Sequence, residues 1–316
     1  MKRKVNRVGI NTLTVSLPSK WAKLHNIKPG DELDVVEENN TLSIIKGQFA
    51  KKKKEIHIDM DNLDYFTLAK LLIACYEESY DSIKLTFSKK TIQDSVTGEE
   101  IDIFRAIDRL VGRLPTFQIF SQSNERIMLG DISEKLSKLD IIISRVFFLI
   151  EEYLLRLIED IKTGDFADLN AREPRHDSIA KQIALANRIL MDDASKSKSE
   201  IVNTILVLNY LDKATDFIRY GYKHTQRHNK KISKSGIKLM EDATEYIKLF
   251  RTCYNKCEYN NINKLDILRS KVKKANQKIA SANPSELIIV SNLKCLVELL
   301  NGAVKAVIAI KLDKEN

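Results

Sequence analysis

Apolar and polar positions alternate in short runs through the first part of the chain, residues 1–47. Leu13, Val15 and Leu17 fall on one face of a predicted strand at 12–17, and Thr and Ser residues fall on the other. A unit of this size buries too little core to be stable alone, so we expect it to need a partner. The other predicted elements here are strands at 2–8, 33–37 and 42–45 and a helical stretch at 19–25 with Trp21 and Leu24 facing inward.

Residues 54–128 change to alternating strands and helices. The predicted elements are strands at 55–60, 81–87 and 116–121 and helices at 63–80 and 101–112. This βαβαβ order predicts a small α/β sandwich with helices over one sheet face. The segment shows no Gly-rich phosphate loop, no Cys/His cluster and no nucleophile with an evident base. Its role as a spacer or as a sensor stays open.

Helical periodicity dominates residues 131–313. A long apolar stripe from Leu136 to Ile161 predicts a helix that ends at Thr163 and Gly164. Further helices are predicted at 174–191, 200–222, 237–259, 264–280 and 285–310. Two units of three helices, 131–228 and 233–313, therefore follow one another as tandem three-helix bundles.

The composition is typical of a soluble multidomain protein, and the positive net charge favours polyanionic partners. The 316 residues carry a net charge of +9, with 43% apolar and 30% charged residues. No apolar run approaches the roughly 20 residues of a membrane span, and no signal peptide opens the chain. Four cysteines make no disulfide framework, so we expect a cytoplasmic protein.

The positive charge is concentrated in particular places. Arg3, Lys4 and Arg7 crowd the start, and a second dense stretch runs over 223–238. Such runs are usually solvated faces or linkers, and each taken alone favours that interpretation.

Residues 1–48 resemble the AbrB/SpoVT/MazE swapped-hairpin family. The resemblance rests on the run Leu-Thr-Val-Ser-Leu-Pro-Ser-Lys-Trp at 13–21, on Ile-Lys-Pro-Gly-Asp at 27–31 and on Leu-Ser-Ile at 42–44. It implies a β-barrel shared by two chains that exchange hairpins, a homodimer, and binding to double-stranded DNA. The DNA-binding residues that it implies are Arg3, Lys4, Arg7, Asn11 and Lys20. A dimerisation unit without DNA contact remains the alternative.

The helical segment resembles PhoU, and the whole order resembles archaeal-type proteins that join a swapped hairpin to PhoU-like helices. The carrying residues are Asn209–Ile218, with Asp212 and Asp216 four apart, and the run Glu-Pro-Arg-His-Asp at 173–177. Residues four apart share a helix face. The resemblance implies a divalent or trivalent metal ion, of open identity, held by Glu173, Asp177, Asp212 and Asp216.

Several alternatives accompany this metal prediction. Acidic pairs four apart are common on solvated faces, and Pro174 makes Glu173 a flanking residue of its helix. The second repeat is poorer, because Gly302 stands where an Asp is expected. His224 and His228 are spaced for zinc but favour solvated or phosphate-facing roles. Cys253 and Cys257 have the same spacing and favour core packing.

The combined prediction is a multidomain α+β, phosphate-linked transcription regulator that is not an enzyme. The alternative is an adaptor whose helical bundles dock on a phosphate transporter ATPase or a signalling kinase, with the hairpin unit serving only dimerisation. A di-metal enzyme is disfavoured, because the bundles show no Glu-x-x-His ligands. The DNA sequence, the effector, the direction of regulation and assembly beyond the dimer stay open.

Overall fold

A computed structural model describes residues 2–38, 41–45, 53–132, 138–164, 173–193, 195–228, 232–282 and 286–315. Within helices and strands, it leaves the side chains of a few further residues undescribed, among them Glu173 and His228. The chain divides into two compact units, Met1–Lys52 and Lys53–Asn316. It is a mixed α+β protein with strands in the first part and helices in the last.

The first unit consists of two antiparallel hairpins and one short helix, as predicted. Its elements are β1 (Val5–Val8), β2 (Thr12–Val15), α1 (Ser19–Leu24), β3 (Asp34–Glu38) and β4 (Thr41–Ile45). In the described part of one chain, β1 pairs with β2 and β3 with β4 as separate two-stranded sheets. The barrel shared by two chains thus stays a prediction. Trp21 is half-buried, but Leu24 is 78% exposed, so its predicted inward position is wrong for the single chain.

The second unit begins with a four-stranded mixed sheet. Its elements are β5 (Glu55–Asp59), α2 (Tyr65–Glu77), β6 (Ser82–Thr86), β7 (Thr91–Gln93), β8 (Glu100–Asp102), α3 (Ile103–Val111), β9 (Phe117–Ser123) and β10 (Arg126–Asp131). The strand order is β5-β6-β10-β9, with β5 and β6 parallel and the other pairs antiparallel. The β7–β8 hairpin and β10 were missed by the sequence analysis.

One face of this sheet is covered by the helices. Ile83 and Leu85 of β6 and Ile127 and Leu129 of β10 are fully buried, in the same core as residues of α2 and α3. A carboxylate caps the N-terminus of each of these two helices. Asp64 accepts a hydrogen bond from the Thr67 N–H at 2.8 Å at the start of α2, and Asp102 accepts one from the Arg105 N–H at 3.0 Å at the start of α3.

Within the described residues from 138 onward, six helices follow, and they share one hydrophobic core. They are α4 (Leu139–Thr163), α5 (Glu173–Asp192), α6 (Lys198–His228), α7 (Lys234–Asn255), α8 (Tyr259–Ala282) and α9 (Leu287–Glu315). Gly164 ends α4 with a φ of 74°, which confirms the predicted stop. α6 and α9 lie against each other along much of their length, so the two groups of three helices are packed together.

Arg188 on α5 joins the sheet segment to the helices. Its side chain is 2% exposed and donates to the carbonyl oxygens of Tyr76 at 2.8 Å and Tyr80 at 3.1 Å. It also pairs with the Asp131 carboxylate at 2.6 Å and lies over the rings of Tyr76 and Phe117. One buried cation therefore contacts the end of α2, the end of β10 and the start of β9.

Among the helices of the described residues, none combines the length and the apolar character needed to cross a membrane.

Candidate functional site

The basic hairpin at the chain start is one candidate site. β1 and β2 pair in register, with Val5 opposite Val15 and Arg7 opposite Leu13, and Gly9 makes the tight turn at a φ of 73°. The five residues predicted to contact DNA are all exposed: Arg3, Lys4, Arg7, Asn11 and Lys20. The structure thus places Arg7 and Asn11 on the hairpin, Arg3 and Lys4 directly before it, and Lys20 on the following helix.

The same hairpin exposes apolar side chains. The register puts Val5, Leu13 and Val15 on one face together with Arg7, which lies opposite Leu13, and Leu13 is 67% exposed. Ile10 at the turn is 87% exposed. A two-stranded hairpin without cover is marginally stable in water, because it leaves apolar area hydrated. The hairpin therefore exposes apolar side chains and cations together.

The carboxylate cluster of the helical part is the second candidate site. Asp177 lies on α5, and Asp212 and Asp216 lie one turn apart on α6. All three line one cavity of about 230 Å³, together with Glu77 at the end of α2. α5 begins at Glu173, one residue before the predicted start, so Glu173 is the first helical residue and not the predicted flanking one; its side chain lies outside the described part of the chain.

His176 bridges two of these carboxylates. Its Nε2 lies 3.0 Å from Asp216 Oδ1, within hydrogen-bond distance. Its Nδ1 lies 3.6 Å from Asp177 Oδ1, an ion-pair contact too long for a hydrogen bond. Only 14% of the His176 side chain is exposed, so both contacts act in a partly dehydrated environment.

Two further cations neutralise the cluster. Lys213 Nζ lies 3.3 Å from Asp212 Oδ2 and 3.4 Å from Asp216 Oδ2. Arg113, which follows α3 in the sheet segment, donates to both oxygens of Asp177 at 3.3 and 3.2 Å. The sequence analysis missed these roles of His176, Lys213 and Arg113, although all three residue types are natural carboxylate partners.

The contacts shift the titration of the cluster in consistent directions. The contact with Asp177 and, after it, the hydrogen bond with Asp216 are the largest causes that raise the pKa of His176 from 6.5 to about 9. The His176 ring lowers the pKa of both Asp177 and Asp216. Burial raises the pKa of the neighbouring Glu77 carboxyl. The cluster is therefore an imidazolium between two ionised carboxylates at neutral pH.

We expect this charge pattern to make stability depend on pH. A raised His176 pKa stabilises the folded state fully below pH 6.5, and that contribution is lost as pH rises through about 9. The lowered pKa values of Asp177 and Asp216 stabilise the folded state above about pH 4, and that contribution is lost on acidification. Urea unfolding should show the free energy of unfolding falling by roughly 1–3 kcal/mol more in the wild type than in His176→Gln between pH 6 and pH 9.5. An equal fall in both proteins would contradict the assignment.

The second group of three helices repeats the arrangement with a different cation. Arg269 on α8 holds Glu298 on α9 through two parallel contacts, Nε–Oε1 at 3.0 Å and Nη2–Oε2 at 2.6 Å. Lys273 Nζ adds a contact to the same carboxylate at 3.5 Å. In both groups, a cation of the middle helix thus neutralises a carboxylate of the third helix.

The described residues fit a metal ion poorly as they lie. Across the described ranges, no group of three or more His, Cys, Asp or Glu side chains is arranged to hold one. Asp177, Asp212 and Asp216 already have cationic partners, and a metal would have to displace them. The metal thus stays a prediction, and no step of the function is derived through it.

The remaining candidate pairs are structural where they are described. Cys253 is buried in the helical core, where burial raises the pKa of its thiol to about 11, and Cys257 packs against the same core. His224 is half-buried on α6, and the His228 side chain lies outside the described part of the chain.

Comparison with known protein families finds a match that covers most of the first unit. Residues 7–55 match the family described as antidote-toxin recognition MazE, bacterial antitoxin. The matched residues begin at Arg7 and end in β5, so the match includes α1 but does not extend to α2 or the helices after it. No curated protein and no solved structure matches the chain.

Proposed function

We propose that this chain is a cytoplasmic DNA-binding transcription regulator that acts as a dimer through its first unit. The observation that carries the proposal is the β1–β2 hairpin, which exposes cations and an apolar face together. The family match over residues 7–55 supports a DNA-binding or antitoxin-type regulator. We favour the regulator, because a large folded helical part follows the matched residues.

Two-fold symmetry gives the hairpin its proposed action. A dimer that exchanges hairpins covers Val5, Leu13 and Val15 and completes a barrel, while the long side chain of Arg7 on the same face keeps its charged end in water, so that two copies of the basic strand are presented. Arg3, Lys4 and Arg7 then neutralise phosphates on both sides of a groove and release counterions. Asn11 at the turn and the Arg side chains can donate to base edges, which is what sequence reading needs.

Removal of the three cations tests the proposal. We expect Arg3→Ala, Lys4→Ala and Arg7→Ala together to weaken duplex DNA binding by at least about 100-fold, because a dimer loses six phosphate contacts. Fluorescence anisotropy of a labelled duplex at fixed salt measures the change.

The matched control removes three exposed cations elsewhere, Lys90, Arg105 and Lys264. It changes the net charge equally and should cost little affinity. Equal losses in both variants would show a general charge effect and defeat the assignment to the hairpin.

We propose further that the helical part links this regulator to phosphate uptake. The support is the resemblance of residues 209–218 to PhoU and the two packed groups of three helices. Chromatin immunoprecipitation of the protein from phosphate-starved and phosphate-replete cells, with sequencing of the bound DNA, tests this link. Enrichment that ignores phosphate supply, at genes unrelated to uptake, would reject it.

The proposed metal belongs to the same part of the chain. Mn²⁺ titration of the thermal midpoint, in the wild type and in Asp212→Asn with Asp216→Asn, tests it. A stabilisation by Mn²⁺ that the variant loses supports the metal, and identical curves reject it.

An adaptor function is the second candidate. The exposed positions of Phe148 on α4 and Ile267 on α8 favour protein contacts by the helices. An adaptor predicts that a phosphate transporter ATPase or a signalling kinase co-purifies with the chain, and that the chain shifts no DNA.

A further inference from the structure

α7 and α8 enclose a groove that the proposed function does not use. Its volume is about 730 Å³, within the range of pockets that hold small organic ligands. Four lysines line it, two from each helix: Lys234 and Lys238 on α7, and Lys271 and Lys278 on α8. The four lysines and two floor residues, Leu239 and Ile279, define the α7–α8 groove.

One carboxylate organises the centre of this groove. Asp242 is buried, and its Oδ1 lies 2.8 Å from Lys271 Nζ and 3.4 Å from Lys238 Nζ. It thereby holds two lysines of facing helices close together against their mutual repulsion. The Glu241 carboxylate also lies 3.7 Å from Lys238 Nζ at the edge of the groove, and the four lysines of the lining outnumber these two carboxylates.

The floor of the groove is apolar. Leu239 and Ile279 belong to the buried core of the helical part, and the half-buried Ala275 packs against that core beside them. The lysine stems extend over this floor while their amines reach solvent. A ligand that fits this pattern has an apolar body for the floor and an anionic group for the rim.

The start of α7 contributes little to the attraction. The Glu286 carboxylate accepts from the Ser233 N–H at 2.6 Å and from its hydroxyl at 2.8 Å. Ser233 in turn caps the Gly236 N–H at 3.1 Å. A carboxylate therefore already faces this helix terminus, and the charge of the groove comes from the lysines.

We propose that the α7–α8 groove binds a small organic phosphate ester with an apolar body. A phosphate monoester carries close to two negative charges at neutral pH, which suits the excess of lysine charge. Lysine binds phosphate as a point charge and needs no fixed fork geometry. A concave site with an apolar floor suits such a molecule better than the continuous backbone of duplex DNA. The inference does not rest on DNA binding by the hairpin.

Calorimetric titration of the full chain with 1-naphthyl phosphate tests the proposal. We expect saturable binding at one molecule per chain, with far weaker heats for inorganic phosphate and for 1-naphthol. Lys234→Gln with Lys278→Gln should weaken the binding about tenfold, because two exposed charges are lost. Lys238 and Lys271 are left in place, since Asp242 needs them.

The matched control is Lys248→Gln with Lys264→Gln, which removes one exposed lysine from each of the same helices outside the groove. It should bind 1-naphthyl phosphate like the wild type, and both variants should melt like the wild type. Absence of saturation, or an equal loss in both variants, would overturn the proposal. Loss of duplex DNA affinity in Lys234→Gln with Lys278→Gln, without naphthyl phosphate binding by the wild type, would overturn it in favour of a DNA contact.

Discussion

Replacement of Arg188 by Met should lower the free energy of unfolding by about 3–5 kcal/mol, the cost of leaving a buried charge without its partner. The change takes the Arg188 cation away from the Asp131 carboxylate and removes one donor each from the carbonyl oxygens of Tyr76 and Tyr80. It also removes the cation from the faces of two aromatic rings. Urea unfolding measures the loss, and hydrogen exchange should show it first in α2 and β10.

Two further variants separate the buried contacts from general effects. Asp131→Asn combined with Arg188→Met should recover part of the loss, because the charge that Arg188 neutralises disappears with it. Lys181→Met changes another cation of α5 and should cost less than about 1 kcal/mol. A loss of that small size for Arg188→Met would show that the cation does not join the sheet segment to the helices.

Leu13→Asp should convert a dimer into a monomer. The wild-type chain is expected to have twice the 36.2 kDa mass of one chain in solution. A charge in the apolar face of the hairpin opposes its burial against a partner. Light scattering of the full chain measures the mass, and the monomer should also lose DNA binding.

Thr14→Asp is the matched control, because the register places Thr14 beside Leu13 on the opposite face of the hairpin. It adds the same charge and should remain a dimer. A monomeric wild type, or a dimer that survives Leu13→Asp, would contradict the shared barrel.

Much of the fold follows from local patterns. Alternation and turn residues predict the β1–β2 hairpin, and Gly164 predicts the end of α4. β10 was missed although it pairs locally with β9 across a tight turn, because Gly130 stands where the alternation calls for a side chain: the Phe120 ring occupies that space, and an added Cβ would come within 2.1 Å of it. Gly130 therefore interrupts the alternation in sequence, although it serves a cross-strand contact.

The candidate site could be predicted only in part, because some of its contacts join residues distant in sequence. The spacing of Asp212 and Asp216 predicts two carboxylates on one face of α6, and they do line one cavity. Lys213 lies beside them on the same helix, but the contacts of His176 with Asp216 and of Arg113 with Asp177 join residues distant in sequence, which meet only after folding. The sequence alone does not distinguish the buried Arg188 from a surface arginine, because the carbonyl oxygens that it binds are brought together only by folding.

Salt-titrated binding of the full chain to duplex DNA, with its own upstream region and an unrelated duplex, tests the central claim most directly. The account predicts tighter binding to the upstream region. It also predicts a logarithm of the binding constant that falls with the logarithm of salt at a slope of about −5, for six phosphate contacts. Absence of binding at low salt, or binding that salt leaves unchanged, would contradict the claim that the basic hairpin binds DNA.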